Sequence, residues 1–168
     1  GDFYKKILKD YSAAQLDYTE AIHLEPNSTL YLSKRAKMFY KISDFENALN
    51  DFKKALEIAP EFVDAINWIG YIYENQDQIE LALIQYNKGI ALENTNPKAA
   101  ALCYSNRAYI FKTQERYNEA IDDYTKAIEL NSNATFYKNR GDIYKEYLKE
   151  YNLAILDYTK SIEFNPNN

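Results

Sequence analysis

Few residues of this chain are of the types that perform catalysis, and their spacing does not bring them together. The only histidine is His23, near the end of a predicted helix, so no second imidazole is available for acid–base chemistry. The only cysteine, Cys103, lies in an apolar run, where a small buried residue is more common than a nucleophile. The sequence has no glycine-rich phosphate loop and no cluster with metal-ligand spacing. We therefore predict no catalytic residue, no metal and no cofactor.

The acidic residues recur at a regular interval, which indicates a repeated element rather than a site. Asp51, Asp123 and Asp157 each precede a lysine by three residues. Pairs of opposite charge at this spacing are typical of the solvated face of a helix. We interpret these aspartates as surface charge without a functional role.

A small residue, an aromatic residue four positions later and a second small residue three positions after that recur along the whole chain. The leading residues of the copies are Ala14, Ala48, Ala82, Ala120 and Ala154. They are separated by 34, 34, 38 and 34 residues, a period that indicates a stacked-repeat protein. Offsets of 0, 4 and 7 lie on one face of an α-helix, and the small residues allow another helix to approach closely.

A second apolar helix is predicted before each of these helices from the second copy onward. A small residue precedes the leading alanine by 12 positions in three copies and by 13 in the last. With short turns between paired helices, the pattern predicts an all-α chain. The predicted helices cover residues 11–24, 29–41, 44–58, 62–75, 78–92, 97–113, 117–130, 134–147 and 150–164, after a short helical remnant at 3–8.

These spacings resemble the tetratricopeptide repeat (TPR), a helix–turn–helix unit of 34 residues, over nearly all of the 168 residues. The resemblance implies a right-handed α-solenoid of stacked antiparallel helix pairs in a single domain. Its units are a partial one at about 1–28 and full ones at about 29–62, 63–96, 97–133 and 134–168. The chain departs from the family where a tryptophan is usual in the first helix, because Leu32, Ile66, Tyr104 and Tyr137 stand there.

In this family the first helix of each pair lines a concave surface, so the resemblance implies which side chains face a partner. The residues expected to bind a peptide there are Lys34, Lys37, Lys41, Asn67, Trp68, Tyr71, Asn106, Tyr109, Lys112, Lys138, Asn139 and Lys145. Lysines outnumber acids on these inner positions, which favours an acidic peptide or a free C-terminus. Asparagine side chains offer donors and an acceptor to a peptide backbone.

Some relatives hold the C-terminal carboxylates of a chaperone in a clamp of lysine, asparagine and arginine. Asn106 matches the middle asparagine of such a clamp. Asn67, Tyr71, Thr135 and Asn139 occupy the other positions and do not match. One match in five does not support a clamp of that kind.

Composition sets the remaining limits. The net charge of −5 gives no footprint for nucleic acid. No apolar run approaches the roughly 18 residues of a membrane helix, and a single cysteine excludes an internal disulfide framework. We favour an intracellular, cytoplasmic location.

The favoured function is a non-enzymatic protein–protein interaction module that presents a concave groove to a peptide or helix of a partner protein. A self-assembling scaffold and a regulatory arm of a larger enzyme remain alternatives. Neither end of the chain shows a polar capping helix, so we expect a fragment of a longer protein and weak end-to-end self-association.

Overall fold

The computed structural model describes the backbone of residues 2–165 and the side chains from residue 10 onward. Within these residues the chain is helical and has no strand, which confirms the all-α prediction. The helices are α1 (Asp2–Leu24), α2 (Thr29–Lys41), α3 (Phe45–Ile58), α4 (Val63–Asn75), α5 (Ile79–Ile90), α6 (Pro97–Thr113), α7 (Tyr117–Leu130), α8 (Ala134–Ile143, followed by a π-helical turn, Tyr144–Leu148) and α9 (Tyr151–Phe164). In chain order α2, α4, α6 and α8 are the first helices of pairs, and α3, α5, α7 and α9 the second.

From α2 onward the predicted and observed helix bounds agree within two residues, except that α8 ends at Ile143, four residues before the predicted 147, where the π-helical turn takes over. The agreement follows from the apolar spacing, because each helix needs one face to bury. The N-terminal prediction was wrong, since α1 runs without a break where a remnant at 3–8 and a separate helix were expected. No proline or glycine lies between Asp2 and Leu24 to end a helix.

The chain packs into two compact units, Gly1–Ala82 (unit 1) and Leu83–Asn168 (unit 2). In unit 1, α1 packs on α2, α2 on α3 and α3 on α4. The predicted small residues Ala48 and Ala55 are both fully buried beside Phe52. Leu32 and Ile69 close the same cluster from α2 and α4. Close approach of the helices therefore depends on the small side chains, as the spacing predicted.

Unit 2 repeats this arrangement, with α6 on α7, α7 on α8 and α8 on α9. Ala120 and Ala127 are fully buried, and Tyr124 between them is 1% exposed. The tyrosine of the pattern therefore packs between helices in α7, as expected. Pro97 is the first residue of α6, where its missing N–H costs nothing, and Asn96 caps the helix by accepting from the amide of Ala99 at 3.1 Å.

Each turn between paired helices holds one non-glycine residue in the left-handed backbone region. These residues are Ser43, Asp77, Glu115 and Lys149, with φ of 64°, 58°, 61° and 60°. In the first three turns the next amide donates to a carbonyl five residues back, as from Arg116 to Phe111 at 2.9 Å, and in the last turn Glu150 donates to the carbonyl of Tyr144, six residues back, at 2.8 Å. This bond ends the first helix tightly. A side chain in that conformation carries a steric cost that glycine does not.

The last pair contains one extra residue, which the backbone absorbs as a π-helical turn. Gly141 precedes Ala154 by 13 residues, whereas Ala108 precedes Ala120 by 12. The turn Tyr144–Leu148 takes up the difference. Consequently α9 keeps the register of α7.

Candidate peptide-binding surfaces

One predicted binding residue of unit 1, Lys37 on α2, forms an ion pair with α4 beside Trp68. Lys37 Nζ lies 2.8 Å from Asp64 Oδ2 and 5.3 Å from the centroid of the Trp68 ring. The Ser33 hydroxyl donates to the same carboxylate oxygen at 3.2 Å. We call Lys37, Asp64, Trp68 and Tyr71 the unit 1 patch. Because Asp64 neutralises Lys37, the patch carries less positive charge than a count of lysines suggests.

Trp68 is held among aromatic rings and belongs partly to the core of unit 1. Its ring stacks on Phe52 with the centroids 6.0 Å apart and 11° between the planes. Its edge contacts Tyr40 at 5.3 Å and Tyr71 at 5.8 Å. Burial, with a smaller contribution from the Tyr71 hydroxyl, raises the pKa of Tyr40 to about 12. Trp68 therefore stabilises the unit as well as offering a half-buried face.

Unit 2 contains an open cleft of about 520 Å³ between α6, the start of α8 and the end of α9. We call it the unit 2 cleft. It is lined by Leu102, Ser105, Asn106, Asn133, Ala134, Thr135, Phe136, Phe164 and Asn165. Its lining combines apolar side chains with amides and hydroxyls and contains no charged side chain. Clefts of this size with a few polar groups are typical of ligand-binding sites.

Cationic side chains lie further along α6 and α8 and do not line the cleft. Tyr109, further along α6, is 47% exposed, and Lys112 Nζ lies 5.5 Å from its ring centroid. On α8, Lys138 Nζ lies 2.9 Å from Asp142 Oδ2. Asp142 also accepts from the Tyr158 hydroxyl at 2.8 Å, an arrangement in which burial first and this hydrogen bond second raise the pKa of Tyr158 to about 12. Lys138 is therefore paired.

The predicted binding residues differ widely in accessibility. The exposed ones are Lys34, Lys41, Tyr109, Lys138 and Lys145. The half-buried ones are Lys37, Trp68, Tyr71, Asn106, Lys112 and Asn139. Asn67 is only 8% exposed, so it offers little surface to a ligand. The predicted residues that the structure brings into direct contact include Tyr109 with Lys112, Lys37 with Trp68 and Trp68 with Tyr71.

The recurring aspartates are buried, which contradicts their interpretation as surface charge. Asp51 is 1% exposed, Asp123 6% and Asp157 4%. Each accepts two hydrogen bonds from an arginine of the first helix of its pair, at 2.7–2.8 Å. The pairs are Arg35–Asp51, Arg107–Asp123 and Arg140–Asp157. The lysine three residues after two of these aspartates pairs with a glutamate instead, as Lys126 does with Glu129.

Each of these three arginines also ties its repeat to the one before it. The remaining Nη1 of Arg35 donates to Thr19 Oγ1 at 3.2 Å, and that of Arg140 donates to Thr125 Oγ1 at 2.8 Å. Arg107 likewise donates to Asn87 Oδ1. The hydrogen bonds that the arginines donate to the aspartates raise the pKa of all three guanidinium groups, and burial only partly opposes this. The bidentate pairs hold the helices together and leave no charge free for a ligand.

Sequence reasoning missed these pairs although the chain carries a signal for them. Arginine stands one position before the small residue of the first helix in three repeats, each with an aspartate 16 or 17 positions later. The remaining full repeat, which contains α4 and α5, has Ile69 and Gln85 at these two positions. The charged residues are therefore present together or absent together.

The side chains of the types that perform catalysis stand apart from one another. His23 is exposed in the last turn of α1. Cys103 is fully buried in α6, which confirms its expected role as a small core residue. Across residues 10–165, no three histidine, cysteine or acidic side chains gather where they could hold a metal ion. None of the helices in the described part of the chain is both long and apolar enough to span a membrane.

Comparison with protein families decides the assignment. Profiles described as "Tetratricopeptide repeat" match residues 63–96, 101–133 and 134–168, and one described as "TPR repeat" matches 36–77. The chain belongs to the tetratricopeptide repeat family. The TPR matches include all four leading alanines from Ala48 to Ala154, so the repeat found in the sequence is the repeat of the family.

Individual relatives agree with this assignment. Small glutamine-rich tetratricopeptide repeat-containing protein 2 of Mycosarcoma maydis is 36% identical over 88 residues, which is 52% of this chain and 25% of that protein. The Hsp70-Hsp90 organising protein of Plasmodium falciparum is 26% identical over 150 residues, 85% of this chain and 24% of that protein. The chain thus spans about a quarter of the length of these two relatives.

A solved structure shows the same fold. A thermophilic TPR protein of Thermus thermophilus superposes with a TM-score of 0.75 over 99% of this chain and 89% of that one, at 18% identity. The chain therefore has the α-solenoid fold of TPR proteins, and family membership indicates a protein-interaction module.

Proposed function

We propose that this TPR chain is a non-enzymatic interaction module that holds a peptide or helix of a partner protein on its first helices. The observation that carries the proposal is the unit 2 cleft. Its volume of about 520 Å³ has room for several side chains of an extended peptide. The cleft also includes Asn106, which was expected at the binding surface from the sequence.

The lining of the cleft favours an apolar side chain held beside polar backbone. Leu102, which is 40% exposed, and Phe164, which is 51% exposed, supply apolar contact surface. Asn106 and Asn133 lie in the same lining, where amides can pair with a peptide backbone. Because no charged side chain lines the cleft, an apolar residue of the ligand enters it without leaving a charge unpaired.

The cationic residues further along α6 and on the π-helical turn after α8 favour an acidic group on the same ligand. Lys112 is half-buried above Tyr109, and Lys145 is exposed on the π-helical turn. Exposed charges of this kind steer association, and salt screens them over about 8–10 Å at physiological ionic strength. We therefore propose a peptide with an apolar anchor flanked by acidic residues or by a free C-terminus.

The unit 1 patch supports the proposal less strongly. Lys37 is already paired with Asp64, and Trp68 is stacked on the buried ring of Phe52. Lys34 and Lys41 are the exposed lysines of α2. We propose that these two contribute long-range attraction, while the main contact is made in unit 2.

The relatives suggest a protein partner without naming it. One is called an Hsp70-Hsp90 organising protein, and chaperones are therefore one class of partner to test. Among the five clamp positions only Asn106 matches, and Asn67, which stands at another, is nearly buried. We therefore do not propose a chaperone C-terminus as the specific ligand of this chain.

A displayed peptide library screened against the chain tests the proposal. The variants are Leu102→Asp in the cleft and Lys112→Glu further along α6. Leu81→Asp is a matched control, because Leu81 on α5 is 42% exposed and Leu102 is 40% exposed. Lys126→Glu on the second helix α7 is the control for charge.

Wild type is expected to select peptides with an apolar residue next to acidic ones. Leu102→Asp should mainly speed dissociation and Lys112→Glu mainly slow association, while both controls bind like wild type. Selection of basic peptides, or equal binding by Leu102→Asp and Leu81→Asp, would show that the cleft is not the binding site. Light scattering at increasing protein concentration distinguishes the peptide-binding module from a self-assembling scaffold. The average mass of a scaffold increases with concentration in the absence of any peptide.

A further inference from the structure

Helix α5 carries two large apolar side chains on its exposed side, although it lies in the middle of the chain. Leu81 is 42% exposed and Ile84 is 48% exposed. Glu80 and Lys88 are exposed on the same continuous helix. The four positions fall within an arc of about 100° around the helix axis, so they share one face. We call Glu80, Leu81, Ile84 and Lys88 the α5 face.

Packing of one repeat on the next does not cover this place on a second helix. The equivalent pairs of residues on α3 and α7 are exposed as well, although α4 packs on α3 and α8 packs on α7. These pairs are Asn47 with Asn50 and Glu119 with Asp122. A following repeat therefore does not bury this place, and the exposure of the α5 face does not depend on how far the chain extends.

The apolar centre of the α5 face is not required by the fold. The equivalent positions hold two asparagines on α3 and two acids on α7, and both helices pack in the same way as their neighbours. Single exposed apolar residues are ordinary on protein surfaces. Two large ones side by side, at a place where the other repeats use polar residues, indicate a contact with another molecule.

The charges of the α5 face are arranged so that the face complements itself. Ile84 lies midway between Glu80 and Lys88, four residues from each. When two copies of α5 pack antiparallel about a twofold axis beside Ile84, Glu80 of each copy meets Lys88 of the other. Two ion pairs then flank the contact between the isoleucines, and Leu81 lies along the methylene stem of Lys88. A twofold contact uses the same surface on both copies, so one helix supplies all of it.

The other second helices from α3 onward lack one part of this arrangement. On α3 the charged positions hold Glu46 and Lys54, but two asparagines stand between them. On α7 an acidic pair stands at the centre. On α9 two leucines stand at the centre, but Asn152 replaces the acid. An apolar centre and complementary charges therefore coincide on α5.

We propose that the α5 face binds the α5 face of a second copy of this chain, antiparallel, in a weak twofold dimer. One helix crossing buries less than the roughly 1,200 Å² of a standard stable interface, so we expect a dissociation constant on the order of 0.1–1 mM. The dimer is closed, because each copy uses its single α5 face. This contact does not depend on the function proposed for the unit 2 cleft.

Sedimentation equilibrium at protein concentrations that span this dissociation constant tests the apolar centre. Wild type is expected to approach twice the mass of the chain and to grow no further. The double variant Leu81→Asn with Ile84→Asn copies the centre of α3, so it should give the circular dichroism of wild type and remain a monomer. Leu153→Asn with Leu156→Asn makes the same change on α9 and is the matched control, which should dimerise like wild type.

Reversal of one charge at a time tests the antiparallel pairing. Glu80→Lys places lysine against lysine at both ends of the contact, and Lys88→Glu places glutamate against glutamate. Each variant should therefore self-associate about tenfold or more weakly than wild type. An equal mixture of the two variants has opposite charges at both ends, so it should form a heterodimer as readily as wild type forms its dimer.

Four results would overturn the proposal. The first is a wild type that stays monomeric over the whole range, and the second is a mixture that associates no better than either charge variant alone. The third is a mass that grows beyond the dimer and is unchanged by the asparagine variant of α5, which would make end-to-end contact the cause. The fourth is a monomeric longest natural form of the protein beside a dimer of residues 1–168, which would show that its own chain covers the face.

Discussion

Replacing Arg107 by isoleucine and Asp123 by glutamine transfers to one repeat the uncharged pair that another repeat already uses at Ile69 and Gln85. The Asp123 side chain is 8% exposed and that of Arg107 21% exposed, and two hydrogen bonds of 2.7 Å join them. Removing one partner of a buried pair leaves an uncompensated charge, which costs about 3–5 kcal/mol.

The two single substitutions differ in what they leave behind. Arg107→Ile leaves a nearly inaccessible carboxylate, so we expect a loss near the upper end of about 3–5 kcal/mol. Asp123→Gln leaves a guanidinium that still donates to Asn87 and lies 5.5 Å from the Tyr104 ring. The loss of unfolding free energy in this variant should therefore fall near the lower end of the same range. The double variant buries no charge and should lose only about 1 kcal/mol, because replacing a whole buried pair is often close to neutral.

Urea unfolding followed by circular dichroism measures the free energy of unfolding of wild type, the two single variants and the double variant. The coupling energy between positions 107 and 123 follows from these four values. We expect a coupling of at least about 3 kcal/mol, larger than most contacting pairs show. Glutamine at both members of the exposed pair Lys126–Glu129 is the control and should leave the midpoint unchanged. Additive losses in the double variant would show that the pair is not a unit and that the match with Ile69 and Gln85 is coincidental.

Three further changes test other parts of the fold. Glu115→Gly should raise the free energy of unfolding by up to about 1 kcal/mol and hence the melting temperature, because glycine removes the steric cost at φ of 61°. Ala120→Leu should lower it by roughly 1–3 kcal/mol through overpacking of a fully buried position, and an unchanged melting temperature would mean the small residues do not set the helix distance. Tyr104 and Tyr158 have pKa values raised to about 12, first by burial and then by hydrogen bonds to carboxylates. Because the folded pKa exceeds the unfolded value near 10, the contribution of these two tyrosines to stability is complete below pH 10 and is lost toward pH 12. Absorbance of tyrosinate at 295 nm should show them titrating after the exposed tyrosines. Simultaneous titration of all tyrosines would contradict this prediction.

The helices were predictable because their cause is local. Small and aromatic residues at offsets 0, 4 and 7 have one way to share a buried face, and Ala48, Phe52 and Ala55 are all fully buried. The separation of α1 into two pieces was wrong because the break was inferred from the repeat length. No residue in that stretch ends a helix.

Charge placement was predictable only in part because its partners are distant in sequence. Asp51 looks like one half of a surface pair with Lys54, yet its partner is Arg35 on the preceding helix. Lys37 was counted as free positive charge, and Asp64, 27 residues later, neutralises it. Local spacing reports which face of a helix a residue is on, whereas ion pairing depends on which helices meet.

The positions of Trp68 and Cys103 give the protein two natural reporters. Each is the only residue of its type in the chain, and they fall in different units. In repeat proteins neighbouring parts unfold with separate stabilities when their interface is weak. Tryptophan emission follows the loosening of unit 1, while reaction of the fully buried thiol with a labelling reagent follows the opening of unit 2. The natural protein therefore reveals whether the two units unfold cooperatively or in sequence. A bound peptide can be assigned to the unit in which it slows the change in tryptophan emission or the reaction of the thiol.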